Sequence, residues 1–117
     1  MVEPPAPAAP VDAGSLLGAC AVALDALRER RPLVQCLTNQ VTVAVVADVL
    51  LAGGASPVMA SAPGEAQELA GSADAMLVNL GTMPADHRAT VPGAVEAACA
   101  AGVPWTLDPV GVGALSS

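Results

Sequence analysis

The sequence has no phenylalanine, no tyrosine and no lysine, and Trp105 is its only aromatic residue. Without large aromatic side chains, a core must be assembled from Ala, Val and Leu. Such a core buries less area per residue and needs closely packed helices and strands. Positive charge is also scarce. Four arginines face eleven acidic residues, giving a net charge of −7. That balance excludes a basic face for a nucleic-acid backbone, although a nucleotide can still be held by backbone N–H groups and one or two arginines. Three cysteines, Cys20, Cys36 and Cys99, stand far apart with no CxxC spacing. Neither a zinc site nor a disulfide framework is expected, and the cytoplasm is the natural compartment. No apolar run reaches ~18 residues, so no transmembrane helix is expected. No signal peptide is expected either, because residues 1–10 carry four prolines and lack a basic start followed by an apolar run.

What is present is a hydrophobic chain of 117 residues, 54% apolar, with a mean hydropathy of +0.60. It is long enough for one domain and too short for two. Residues 1–13 read as a disordered leader rich in proline and alanine, and 14–117 as the folded part. Asp12 or Ser15 is placed to cap a first helix over about 15–30, with Leu16, Leu17, Cys20, Leu24 and Leu27 on one face and Pro32 as its stop.

Short apolar runs then alternate with helical stretches. Strands are expected at 33–37, 56–59, 75–80 and 104–107. Helices are expected at 42–52, 64–71 and 92–101, with Pro92 in the first turn of the last one. Apolar strands separated by helices imply an α/β fold whose parallel sheet is covered by crossover helices on both faces. The last strand has no helix or further strand after it, and this open edge predicts a chain truncated after about four strands.

Ligands of such sheets bind beyond the carboxyl ends of the strands. Those ends are Thr38-Asn39-Gln40, Met59-Ala60-Ser61, Asn79-Leu80-Gly81-Thr82, and Asp108 to Gly113. Asp108 reads either as a carboxylate acting on Mg²⁺ beside phosphates or as a turn cap. Gly111 and Gly113 suit a close phosphate approach or a plain tight turn. Thr38 and Asn39 can bond a polar heterocycle or cap a helix. Met59 can wall a flat ring or fill the core. Asn79 and Thr82 are expected as satisfied loop groups, His87 as a solvent-exposed histidine, and the cysteines as buried small apolar residues. There is no P-loop sequence and no dinucleotide glycine motif.

Four stretches carry a resemblance to a known family: Val34 to Thr42 (VQCLTNQVT), Gly54 to Ala60 (GASPVMA), Val78 to Thr82 (VNLGT) and Leu107 to Ala114 (LDPVGVGA). Taken together, they resemble hydroxyethylthiazole kinase, a ribokinase-like enzyme of thiamine salvage, from about residue 15 onward. The resemblance implies transfer of the ATP γ-phosphate, with Mg²⁺, to the hydroxyl of 4-methyl-5-(2-hydroxyethyl)thiazole. It implies that Met59, Asn39 and Val41 line the thiazole pocket. Asp108, Gly111 and Gly113 then face nucleotide and metal. It also implies homotrimers with active sites between subunits. The family carries its catalytic residue and most ATP contacts in its second half, so no catalytic residue is assigned to this chain, and little activity is expected of it alone. Two other readings are a ribokinase-like NAD(P)H-hydrate dehydratase and a non-catalytic module that joins intact kinase trimers.

Overall fold

The computed structural model describes residues 12–110. Four helices and four strands alternate strictly: α1 (Ala13–Arg30), β1 (Leu33–Leu37), α2 (Val43–Gly53), β2 (Ser56–Val58), α3 (Glu65–Ala70), β3 (Ala75–Asn79), α4 (Ala85–Ala101) and β4 (Trp105–Asp108). The strands form one parallel sheet in the order β2-β1-β3-β4. The expected α/β fold is therefore the observed one. Of the leader expected at 1–13, residues 1–11 lie outside the described residues, and Asp12 and Ala13 are instead the cap and first residue of α1.

The side chains of each strand alternate between the two faces of the sheet. Leu37, Met76 and Val78 turn to one side, where they pack with Ala66 and Ala70 of α3 and Ala94 and Ala98 of α4. Val34 and Cys36 turn to the other, against Ala55, Val46 and Leu50, with Leu27 of α1 behind them. Alanines on α3 and α4 let the two helices and the sheet approach closely, which is how a core without Phe or Tyr fills its space. β1 is one of the two inner strands, and Val34 to Leu37 are all buried. Gln35 is fully buried within it. Its amide donates to the carbonyls of Ala66 (2.9 Å) and Ala60 (3.3 Å), tying β1 to α3 and to the loop that precedes it.

α1 starts at Ala13 rather than near residue 15, because Asp12 is its cap: the carboxylate accepts from the Ser15 N–H at 2.9 Å. The helix ends at Arg31, which adopts a left-handed conformation with φ 48°, immediately before Pro32. Its apolar face is largely uncovered. Leu16 and Leu17 are exposed, and only the last turns pack on the rest through Leu27 and Arg28.

The largest departure concerns α4. It begins at Ala85, seven residues before the expected start, and Pro92 lies inside it. Pro84 is the N-cap residue, the Arg88 N–H bonds the Pro84 carbonyl at 2.9 Å, and Asp86 sits in the first turn. Proline at 84 and an acid in the first turn are ordinary helix-start signals. Pro92 offers no N–H to the turn before it, but the helix is held by Thr90, Ala94 and Ala98, all buried. β4 is one of the two edge strands, and all four of its residues are exposed, Trp105 and Leu107 included. Among the described residues no helix is long and apolar enough to cross a membrane.

Candidate functional site

All four strands run the same way, so their carboxyl ends lie along one edge of the sheet. Beyond β1, Asn39 organises the turn into α2. Its side-chain oxygen accepts from the N–H groups of Val41 (3.0 Å) and Thr42 (2.9 Å). Its amide nitrogen donates to Oδ1 of Asn79, beyond β3, at 2.9 Å. The same Asn79 oxygen accepts from the Gly81 N–H at 3.1 Å, and Asn79 Nδ2 donates to Oδ2 of Asp108 at 2.8 Å. The second Asp108 oxygen accepts from the Val110 N–H at 3.2 Å. One chain of side-chain hydrogen bonds thus spans the tips of β1, β3 and β4. Asn79, expected as a satisfied loop group, is satisfied by two candidate site residues.

The loops beyond β3 and β4 touch. A Cβ on Gly81 would stand 3.0 Å from Val110 Cγ1, so Gly81 leaves the room this approach needs. Thr82 and Val110 have positive φ values of 43° and 36°, a conformation uncommon for residues with a side chain.

On the other side of Asn39 lies a small cavity of about 70 Å³, walled by Thr38, Asn39, Val43, Met59, Ser61 and His87. Cys36 is also on its wall. Burial pushes this thiol up to about 11, so it is neutral at physiological pH and a poor nucleophile. His87 corrects the expectation of a solvent-exposed histidine. It is partly buried, and Nε2 lies 3.1 Å from Ser61 Oγ. The early start of α4 is the reason, since it leaves residues 80–84 as the connection from β3 and puts His87 in the first turn of the following helix. The strand-end rule would have found His87 had that boundary been read from Pro84.

Asn39 and Met59 therefore share one cavity wall, and Asn39 and Asp108 are linked through Asn79. Val41 does not join them: it is 77% exposed and absent from that wall. Gly111 and Gly113 lie outside the described residues. Cys20 and Cys99 are exposed, against the expectation of three buried cysteines, while Cys36 is buried.

Among the described residues no group of three His, Cys, Asp or Glu side chains is placed to hold a metal ion. Asp108 alone still fits Mg²⁺, which binds through one or two carboxylates and keeps several waters. A larger groove of about 260 Å³ runs along the β2 edge beside Glu65, Glu68 and Leu69 of α3. It lies on the flank of the sheet, whereas the smaller cavity collects polar groups from the strand ends, and the latter is the better candidate.

A sequence profile described as the Hydroxyethylthiazole kinase family matches residues 24–117. The chain belongs to this family. The match spans all four motif stretches and decides against the dehydratase reading. The chain is 52% identical over 90 residues to hydroxyethylthiazole kinase of Cronobacter sakazakii, covering 77% of this chain and 34% of that protein. It is 49% identical over 103 residues to the Serratia proteamaculans kinase, covering 88% and 38%. The solved hydroxyethylthiazole kinase of Pyrococcus horikoshii OT3 superposes with a TM-score of 0.76 at 48% identity, over 80% of this chain and 37% of that one. The fold is thus that part of the ribokinase-like architecture. The chain spans about a third of the length of the relatives it matches.

Proposed function

We propose that this chain forms the alcohol-binding part of an ATP-dependent hydroxyethylthiazole kinase site. Asn39 and Met59 take the thiazole ring in the small cavity, and Asp108, with Gly111 and Gly113, faces the phosphates and Mg²⁺. The observation that carries this reading is the Asn39–Asn79–Asp108 hydrogen-bond chain, which couples the wall of the small cavity to a carboxylate at the next strand ends.

The reaction is in-line transfer. The substrate hydroxyl oxygen forms a bond to the γ-phosphorus as the bond to the β,γ-bridging oxygen breaks, and ADP leaves. Such chemistry depends on positioning and charge neutralisation more than on covalent help from the protein. Met59 and Asn39 hold the ring, and the neutral Cys36 thiol keeps the wall free of competing charge. Mg²⁺, when bound, neutralises charge on the phosphates. No described residue is assigned as the base that takes the hydroxyl proton, and that role belongs to a part of the family outside this chain.

Val41 has a different role in this proposal. It is exposed in the turn before α2, and Val45 and Val49, one helical turn apart on α2, are exposed as well. This stripe supports a subunit contact next to the site, in keeping with a homotrimer, and Val41 then meets substrate only in the assembly. The compartment proposed is the cytoplasm.

Incubation of the purified protein with the thiazole alcohol, ATP and Mg²⁺, read by ADP release, tests the reading. The 117-residue chain is expected to bind the alcohol by calorimetry and to release no ADP, and a full-length relative carrying the same strand ends is expected to do both. Turnover by this chain at ordinary enzyme rates refutes the need for the rest of the family's length. Failure to bind the alcohol refutes the site itself.

A further inference from the structure

We propose that Ser61 and His87 form a recognition pair: Ser61 donates a hydrogen bond to the ring nitrogen of a small neutral azole, and His87 holds the Ser61 hydroxyl in the donating orientation. This rests on the thiazole reading above and adds to it the atom by which the ring is told from its carbocyclic or sulfur-only analogues.

The polar capacity of the cavity wall leads here. Asn39 has committed its side-chain oxygen to two backbone N–H groups and one amide hydrogen to Asn79. Thr38 Oγ1 lies 3.3 Å from Thr42 Oγ1, so those hydroxyls share a bond. Met59 and Val43 are apolar, and the Cys36 thiol is turned to the Val34 carbonyl at 3.7 Å. Ser61 is different. Its hydroxyl has one hydrogen and two lone pairs, and its one bond is to His87.

The direction of that bond sets what Ser61 offers. When His87 Nε2 carries the hydrogen, the imidazole donates to Ser61 Oγ, and the Ser61 hydrogen is released to the cavity. When Nε2 is bare, the Ser61 hydrogen is consumed by the ring, and only lone pairs face the ligand. A ligand with an in-plane nitrogen acceptor therefore selects the first arrangement. The two residues come from different elements, the loop after β2 and the first turn of α4, and they meet across 26 positions of sequence. The β2 loop is itself braced by Gln35, whose amide donates to the Ala60 carbonyl next to Ser61.

The test is calorimetric binding to the full chain with two probes: the thiazole alcohol, and the thiophene alcohol that has C–H in place of the ring nitrogen. The wild-type protein is expected to prefer the thiazole by about tenfold, the ordinary value of one hydrogen bond made or left unmade. Ser61→Ala binds both probes alike. His87→Gln, whose amide N–H can still donate to Ser61, keeps the preference. His87→Leu, which leaves the Ser61 hydroxyl unheld, reduces it. A purely structural role predicts equal weakening of both probes, and that result overturns the proposal, as does a preference retained by Ser61→Ala. If the wild-type protein binds neither probe, the thiazole reading itself fails and this inference falls with it. If it binds both probes equally, only the recognition pair is lost.

Discussion

Asn79 is shared between Asn39 and Asp108: its side-chain oxygen accepts from Asn39 at 2.9 Å, and its nitrogen donates to the Asp108 carboxylate at 2.8 Å. One amide thus fixes the spacing between the ring cavity and the only described carboxylate on this edge chain. Asn79→Ala leaves Asn39 Nδ2, the Gly81 N–H and one Asp108 oxygen without their partner. The expected cost is about 1–3 kcal/mol of folding stability, read from the urea midpoint. Affinity for the thiazole alcohol falls as well, because Asn39 loses its anchor. Asn79→Asp is expected to be worse, since it sets a second carboxylate against Asp108 in place of an amide donor. Wild-type stability and affinity in the alanine variant would show that the bridge is ornamental.

Asp108→Asn separates the two ends of the chain of hydrogen bonds. Asparagine keeps one acceptor for Asn79 or Val110 and loses the charge that Mg²⁺ needs. In a full-length kinase with these strand ends, Mg²⁺-dependent ATP binding is expected to weaken on the order of tenfold or more. Thiazole affinity is expected to stay near wild type. Equal loss of both ligands contradicts the assignment of Asp108 to the phosphate side.

How much of this was legible in the sequence depends on which residues carry the signal. The unalternated strands around Val34-Gln35-Cys36-Leu37 and Ala75-Met76-Leu77-Val78 mark a doubly covered parallel sheet, because only burial on both faces permits apolar residues at successive positions. The strand-end rule then finds Asn39, Met59 and Asp108. Two things escaped it. The polar stretch 84–90 has no apolar periodicity strong enough to announce a helix, and Pro92 has the character of a start, so the pattern sets α4 too late and His87 at the surface. Val41 follows Asn39 in a motif and is easily assigned to the same pocket. The turn that Asn39 caps sends the Val41 side chain outward, a matter of backbone geometry that spacing does not encode.

Gly54 ends α2 with φ 101°, and a Cβ there would come within 2.9 Å of Arg28 Cα in α1. Both the conformation and the backbone contact exclude a side chain. Gly54→Ala is expected to cost about 2–4 kcal/mol, the left-handed penalty plus overpacking that a backbone atom cannot relieve. Gly64 also has a positive φ, 84°, but has open space around it. Gly64→Ala should therefore carry only the conformational part, about 1 kcal/mol. Urea midpoints of the two variants measure the difference. Equal losses would mean that the α1–α2 contact contributes nothing.

The alkaline limb of stability isolates Cys36. The sequence has no lysine and no tyrosine, so its three cysteines are the only side chains that ordinarily titrate between about pH 8.5 and 11.5. Cys20 and Cys99 are exposed, and Cys36 is buried. Desolvation raises the Cys36 thiol from its ordinary 9.0 to about 11 in the folded chain. The unfolded chain therefore releases this proton first. Below pH ~9 both states hold it, and the contribution to stability is complete. From there through pH ~11 the unfolded state is progressively favoured, and stability falls. Urea midpoints measured from pH 8 to 11 should decline in the wild-type protein and decline less in Cys36→Ala, whose overall stability is lower for loss of packing. Iodoacetamide at pH 8 should label Cys20 and Cys99 quickly and leave Cys36 unmodified until urea unfolds the chain, as mass spectrometry of the peptides will read. Fast labelling of Cys36 in the folded protein would place that thiol in water and open the ring cavity that it helps to wall.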